Sequence, residues 1–88
     1  MDKNSELADA VGNLYRAALY LARKDLDKTV GREFVQKAIN KLKESQQFYN
    51  DAQSIEEAVK KYHKENIILA EKILDKYHRL RIQMSNDK

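Results

Sequence analysis

The tripeptide Lys-Tyr-His occurs twice, at Lys61-Tyr62-His63 and again at Lys76-Tyr77-His78. Two imidazoles and two phenols at a fixed spacing could ligate a metal ion or shuttle protons. Helical geometry argues against both. On one continuous helix turning about 100° per residue, Tyr62 and Tyr77 fall on the apolar face. His63 sits at the margin of that face and His78 well outside it. The histidines would then stand four turns apart, about 22 Å along one rod, too far to share an ion. The repeat is read as helical periodicity met twice.

A tighter set is Glu71, Asp75 and His78, whose 4-3 spacing lays two carboxylates and an imidazole on one surface. Such donors suit zinc, iron or manganese. Lys72 and Arg79 flank them, however, and Asp75 to Arg79 has the spacing of an ordinary i,i+4 ion pair. Carboxylate-bridged metal bundles also draw inward-facing ligands from several helices, and the rest of the chain offers none. The expectation is a solvated, salt-bridged face with no metal and no cofactor.

Other chemistry has less to stand on. There is no glycine-rich phosphate loop, no cysteine, and no serine with a histidine base and carboxylate at hand. The chain is expected not to be an enzyme and to have no small-molecule substrate. A denser signal is cationic: Lys60, Lys61, Lys64, Lys72, Lys76, Arg79 and Arg81 crowd one segment. Phosphate binding gains with each charge gathered on one face. Glu56, Glu57, Glu65, Glu71 and Asp75 are interleaved here, which is the pattern of a solubilising surface. Weak, sequence-independent nucleic-acid binding through those seven cations is the alternative reading.

The elements that must position these residues follow from composition and period. Eighty-eight residues make one domain, 1–88, and bury roughly 60–65% of the unfolded surface. With 17 basic and 14 acidic side chains the net charge is only +3. No apolar run approaches the length of a membrane span, and the first ten residues lack the pattern of a signal peptide. A soluble, cytoplasmic protein without a membrane partner is expected.

Apolar residues recur at 3-and-4 spacing and never in strand alternation, so the predicted class is all-α. The first predicted helix, about 5–25, carries Leu7, Val11, Leu14, Ala18 and Leu21 as a core stripe. Ala8, Tyr15, Leu19 and Ala22 widen that stripe beyond what a surface helix needs. Gly31 marks a break before the second helix, about 31–51, whose face holds Val35, Ala38, Ile39 and Leu42 and is interrupted by Ser45 and Gln46. Ser54 and Glu57 have capping-box spacing and start a long third helix, about 55–82, ahead of a frayed tail, 83–88. Short connections favour antiparallel neighbours, so the predicted architecture is an up-down-up three-helix bundle with a long third helix, able to dimerise into a larger bundle.

Two site expectations follow. Asn66 falls at the centre of the third helix's core face and is read as a buried polar residue that fixes register or association. The third helix, about 40 Å against about 30 Å for the others, should overhang the bundle. Tyr77, Leu80, Ile82 and Met84 on that overhang, with Tyr15 and Leu19 on the outer face of the first helix, form the expected interaction surface. The predicted function is a small helical protein–protein interaction or assembly module, binding a protein partner or itself.

Overall fold

A computed structural model describes residues 3–86, with side-chain surroundings from Leu7 to Met84. The described residues are all-α, with four helices where three were expected. These are α1 (Lys3–Ala22), α2 (Lys28–Lys43), α3 (Tyr49–Lys61) and α4 (Asn66–Asn86), with a 3-10 turn at Gln46–Phe48.

The expected stripe of α1 is its buried face: Leu7, Val11, Leu14, Ala18 and Leu21 go inward together with Ala10 and Ala17. The reversal after it comes before Gly31 and uses polar caps. Asp27 accepts a hydrogen bond from the Thr29 amide at 2.8 Å and starts α2. Lys28 turns back to donate to the Tyr20 and Arg23 carbonyls, orphan acceptors at the end of α1. Gly31 therefore does not break a helix. It is buried one turn inside α2, and a β-carbon there would stand 3.0 Å from Tyr20 Cβ and 3.2 Å from Leu21 Cγ. Glycine serves here to let α2 press against α1.

The second break also moves. Ser54 lies inside α3, so it caps nothing, and the chain turns earlier, at Glu44–Phe48. The helical wheel explains the position. A continued α2 would carry Phe48 about 140° from the stripe of Val35, Ile39 and Leu42, out into water. Ser45, in extended backbone at φ −108° and ψ 125°, lets Phe48 turn into the core, where it is buried.

The long third helix does not exist as one rod. It folds back at Tyr62–Glu65, giving α3 and α4. A rod of that length, about 40 Å, would have left about a quarter of its apolar stripe without a facing helix, because α1 spans only about 30 Å. Folding back lets Ala52 and Ile55 on α3 and Leu69, Ile73 and Leu80 on α4 join one core. The turn contains neither glycine nor proline. It closes through the Tyr62 amide to Ala58 O and the Glu65 amide to Tyr62 O, both at 2.9 Å. Arg32 of α2 then clasps it, donating to His63 O and, at 2.9 Å, to Asn66 Oδ1.

Successive helices pack as neighbours, and α4 returns against α1 to close the ring. Two ion pairs tie α3 to its neighbours: Lys43 Nζ to Glu56 Oε2 at 2.8 Å, and Lys76 Nζ to Asp51 Oδ1 at 3.0 Å. The bond to Glu56 holds the Lys43 ammonium above its ordinary pKa. At 21 and 20 residues, α4 and α1 match in length, so there is no overhang. The tail expected to fray from residue 83 is helical to Asn86, and residues 87–88 lie outside the described residues. No helix among the described residues is long and apolar enough to cross a membrane.

Candidate interaction surface

The closure of α4 on α1 leaves a seam on its outer side. Helix α1 sends Tyr15, Ala18, Leu19 and Ala22 into it, and α4 sends Ile67, Ala70 and Leu74, with Glu71 at the edge. Each set follows the 3-4 spacing that puts residues on one helical face. The helices run antiparallel, so Ala22 lies at the same end as Ile67, and the Tyr15 ring meets Tyr77 at 5.5 Å between centroids. The result is an apolar groove of about 350 Å³. Its walls are well exposed: Ile67 at 62% and Tyr15 at 50%, with Leu19 and Leu74 above a third.

Charge is sorted along the groove's rims. On the wheel of α1, Arg16 and Arg23 lie just outside Leu19; on that of α4, Glu71 lies about 60° outside Leu74, and Asp75 lies about 100° outside it, turned toward the cleft with α3. All four are exposed. Arg23 is held by Asp25 through two 3.1 Å hydrogen bonds, which keep the Asp25 carboxyl below the usual range. Arg16 has a single 3.3 Å contact with Asn13 Oδ1. Among the described residues, neither Glu71 nor Asp75 has an ion-pair partner, and the Asp75–Arg79 pair expected from spacing does not form.

The residues expected to bind are divided by this arrangement. Tyr15 and Leu19 line the groove, and Tyr77 borders it through Tyr15. Leu80 does not belong to any surface: it is 1% exposed, because the overhang that was to carry it packs against the other helices instead. Met84 is partly buried against the same core, whereas Ile82 points to solvent. Asn66 is not the centre of a long helix but the first residue of α4, half-buried and bound to Arg32. Ile67 and Leu74 were the residues missed. Their signal was present in the sequence, as a second apolar stripe about 100–120° from Ile73, shorter than the first and so less evident.

The sequence's other candidates are separated. Tyr62 and His63 lie in the turn between α3 and α4, while Tyr77 and His78 lie deep in α4, so the Lys-Tyr-His repeat does not sit on one rod. His63 Nδ1 is 3.1 Å from Lys60 O, and the His78 ring sits edge-on to Tyr77 at 5.2 Å. No group of three or more metal-ligating side chains occurs among the described residues. The seven cations are spread over the end of α3, the turn and α4. Lys61 and Lys72 both stand over the Tyr62 ring, at 5.4 and 6.0 Å. Lys72, Lys76 and Arg79 line a cleft of about 190 Å³ between α3 and α4, along with Asp75. Lys76 is already committed to Asp51, and Arg81 faces Tyr77 on the opposite flank of α4.

No family model, curated protein or solved structure matches this chain.

Proposed function

We propose that this protein is a non-catalytic interaction module that docks an amphipathic helix along the groove between α1 and α4. The observation that carries the reading is the pair of apolar faces, each a row at 3-4 spacing, set side by side and left without a covering helix. Two parallel ridges with a trough between them are what a third helix packs into, and helix-in-groove recognition uses anchors at this period. Apolar side chains gathered in such a patch differ from singly exposed ones, which need no explanation. The reading includes a soluble protein acting in the cytoplasm, in keeping with a chain that has no cysteine.

Nuclear magnetic resonance with a designed amphipathic helical peptide, leucines at i, i+3, i+4 and i+7, tests this directly. Peptide addition should shift the amides of Leu19, Ala22, Ile67 and Leu74. Leu19→Lys with Leu74→Lys should abolish those shifts while leaving helicity unchanged. Shifts centred elsewhere, or surviving the substitutions, would refute the proposal.

The alternative of nucleic-acid binding draws on the three cations of the α3/α4 cleft and the lysines over Tyr62. Affinity for a single-stranded oligonucleotide that falls steeply with salt, and falls again on Lys72→Ala and Arg79→Ala, would favour it. An apolar groove would respond little to salt.

A further inference from the structure

We infer that the occupant of the α1/α4 groove is the same groove of a second copy, the two meeting about a two-fold axis parallel to the helices. This rests on the helix-docking reading of that groove and adds the identity and orientation of the partner. In this arrangement α1 and α4 of one copy and α1 and α4 of the other stand at the corners of a square. Each helix has an antiparallel neighbour on both sides, and Leu19, Ile67 and Leu74 of both copies fill the centre. Four-helix bundles pack in this way.

The rim charges choose both the partner and the axis. A two-fold axis parallel to the helices keeps every residue at its own height and sets α1 of one copy beside α4 of the other. The register that puts Tyr15 against Tyr77 and Ala22 beside Ile67 brings Arg16 level with Asp75 and one turn from Glu71. Each Arg16 thus meets the acidic rim of the other copy, and symmetry makes the contact twice. The other two-fold axis available to these faces, perpendicular to the helices, sets α1 against α1 and α4 against α4. Centred on the groove, it brings the Arg16–Arg23 rim against the same rim of the other copy, and the Glu71 rim against its own, a repulsion that disfavours it. Of the two axes, only the parallel one sets Arg16 of each copy against Glu71 of the other. A foreign helix would need a separately matched charge pattern, whereas the second copy carries it already.

Light scattering after size exclusion should give twice the chain mass at concentrations of about 100 µM. Arg16→Glu, and separately the pair Glu71→Arg with Asp75→Arg, should each weaken self-association by about tenfold or more, because each places like charges across both contacts. Mixed in equal amounts, the two variants should recover a heterodimer. The introduced glutamate then faces the two introduced arginines at one contact, and the natural pairing is restored at the other. Because the chain has no cysteine of its own, a second measurement is available. Arg16→Cys mixed with Asp75→Cys should cross-link under mild oxidation as a heterodimer, and neither alone should do so. A wild type still monomeric at about 1 mM would overturn the inference and leave peptide docking in the groove unaffected. A dimer indifferent to both charge variants, or a mixture no stronger than its components, would also overturn it. Loss of peptide shifts with retained self-association would instead count against the groove as the shared site.

Discussion

At the scale of single residues, the two glycines separate two jobs that look alike in sequence. Both lie inside helices, where glycine costs about 1 kcal/mol relative to alanine. At Gly12 the nearest atom to an added β-carbon is the end of the Arg16 side chain, at 3.3 Å, which can swing away. At Gly31 it is Tyr20 Cβ at 3.0 Å, fixed to the backbone of α1. Gly12→Ala should therefore stabilise by about 0.5–1 kcal/mol in urea unfolding. Gly31→Ala should be neutral or worse, and Gly31→Val destabilising by about 1–3 kcal/mol from overpacking. The sequence showed a weak helix former at each position but could not show which one another helix approaches. Asn66 makes a similar point. Its place on the wheel suggested a polar residue buried at the centre of a core face. Bound to Arg32 at the start of α4, it should lose about 1 kcal/mol on Asn66→Leu, with Arg32 left without this acceptor. A leucine variant that melts higher than the wild type would contradict this.

At the scale of elements, helix content and the core stripe of α1 were legible because a single 3.6-residue period runs through both. The breaks were not. Ser45 and Gln46 stood in the sequence as an interruption of a stripe, yet only Phe48's need for the core explains why the chain turns there. The turn at Tyr62–Glu65 had no local signal at all, since the apolar spacing of α3 continues in phase into α4. Its causes are distant in sequence: Arg32 on α2 and the ion pair between Lys76 and Asp51, which joins α3 to α4 across 25 positions. The Lys76 side chain is 12% exposed, so that pair is shielded as surface pairs are not. A double-mutant cycle with Lys76→Met and Asp51→Asn should give a coupling of about 1 kcal/mol, larger than that of exposed pairs. The single Asp51→Asn change should be the more damaging, because it leaves a partly buried ammonium unpaired. Coupling near zero would mean that apolar packing alone sets the α3–α4 hairpin.

At the scale of the whole molecule, fold and surface are settled by the same question of which apolar stripe of α4 faces inward. The helix carries two, Leu69–Ile73–Leu80 and Ile67–Leu74, and only the first can be covered by a bundle measuring 37 × 22 × 19 Å. Reading Leu80 as a surface residue followed from a rod that overhangs; once the rod folds back, that stripe has partners along its length. The two stripes should therefore answer differently to the same substitution. Leu80→Ala removes a side chain that is 1% exposed and should cost about 2–5 kcal/mol, the range for a cavity in a well-packed core. Leu74→Ala, at an exposed position one face away, should change monomer stability by no more than about 0.5 kcal/mol. Urea unfolding of each variant at low protein concentration isolates the monomer term from any association. The same two proteins compared at high concentration then report the surface: Leu74→Ala should lose groove binding with its fold intact, and Leu80→Ala should lose binding only as far as it loses fold. Equal stability losses for the two would mean that α4 is rotated in solution and that the stripe assigned to the groove lies in the core.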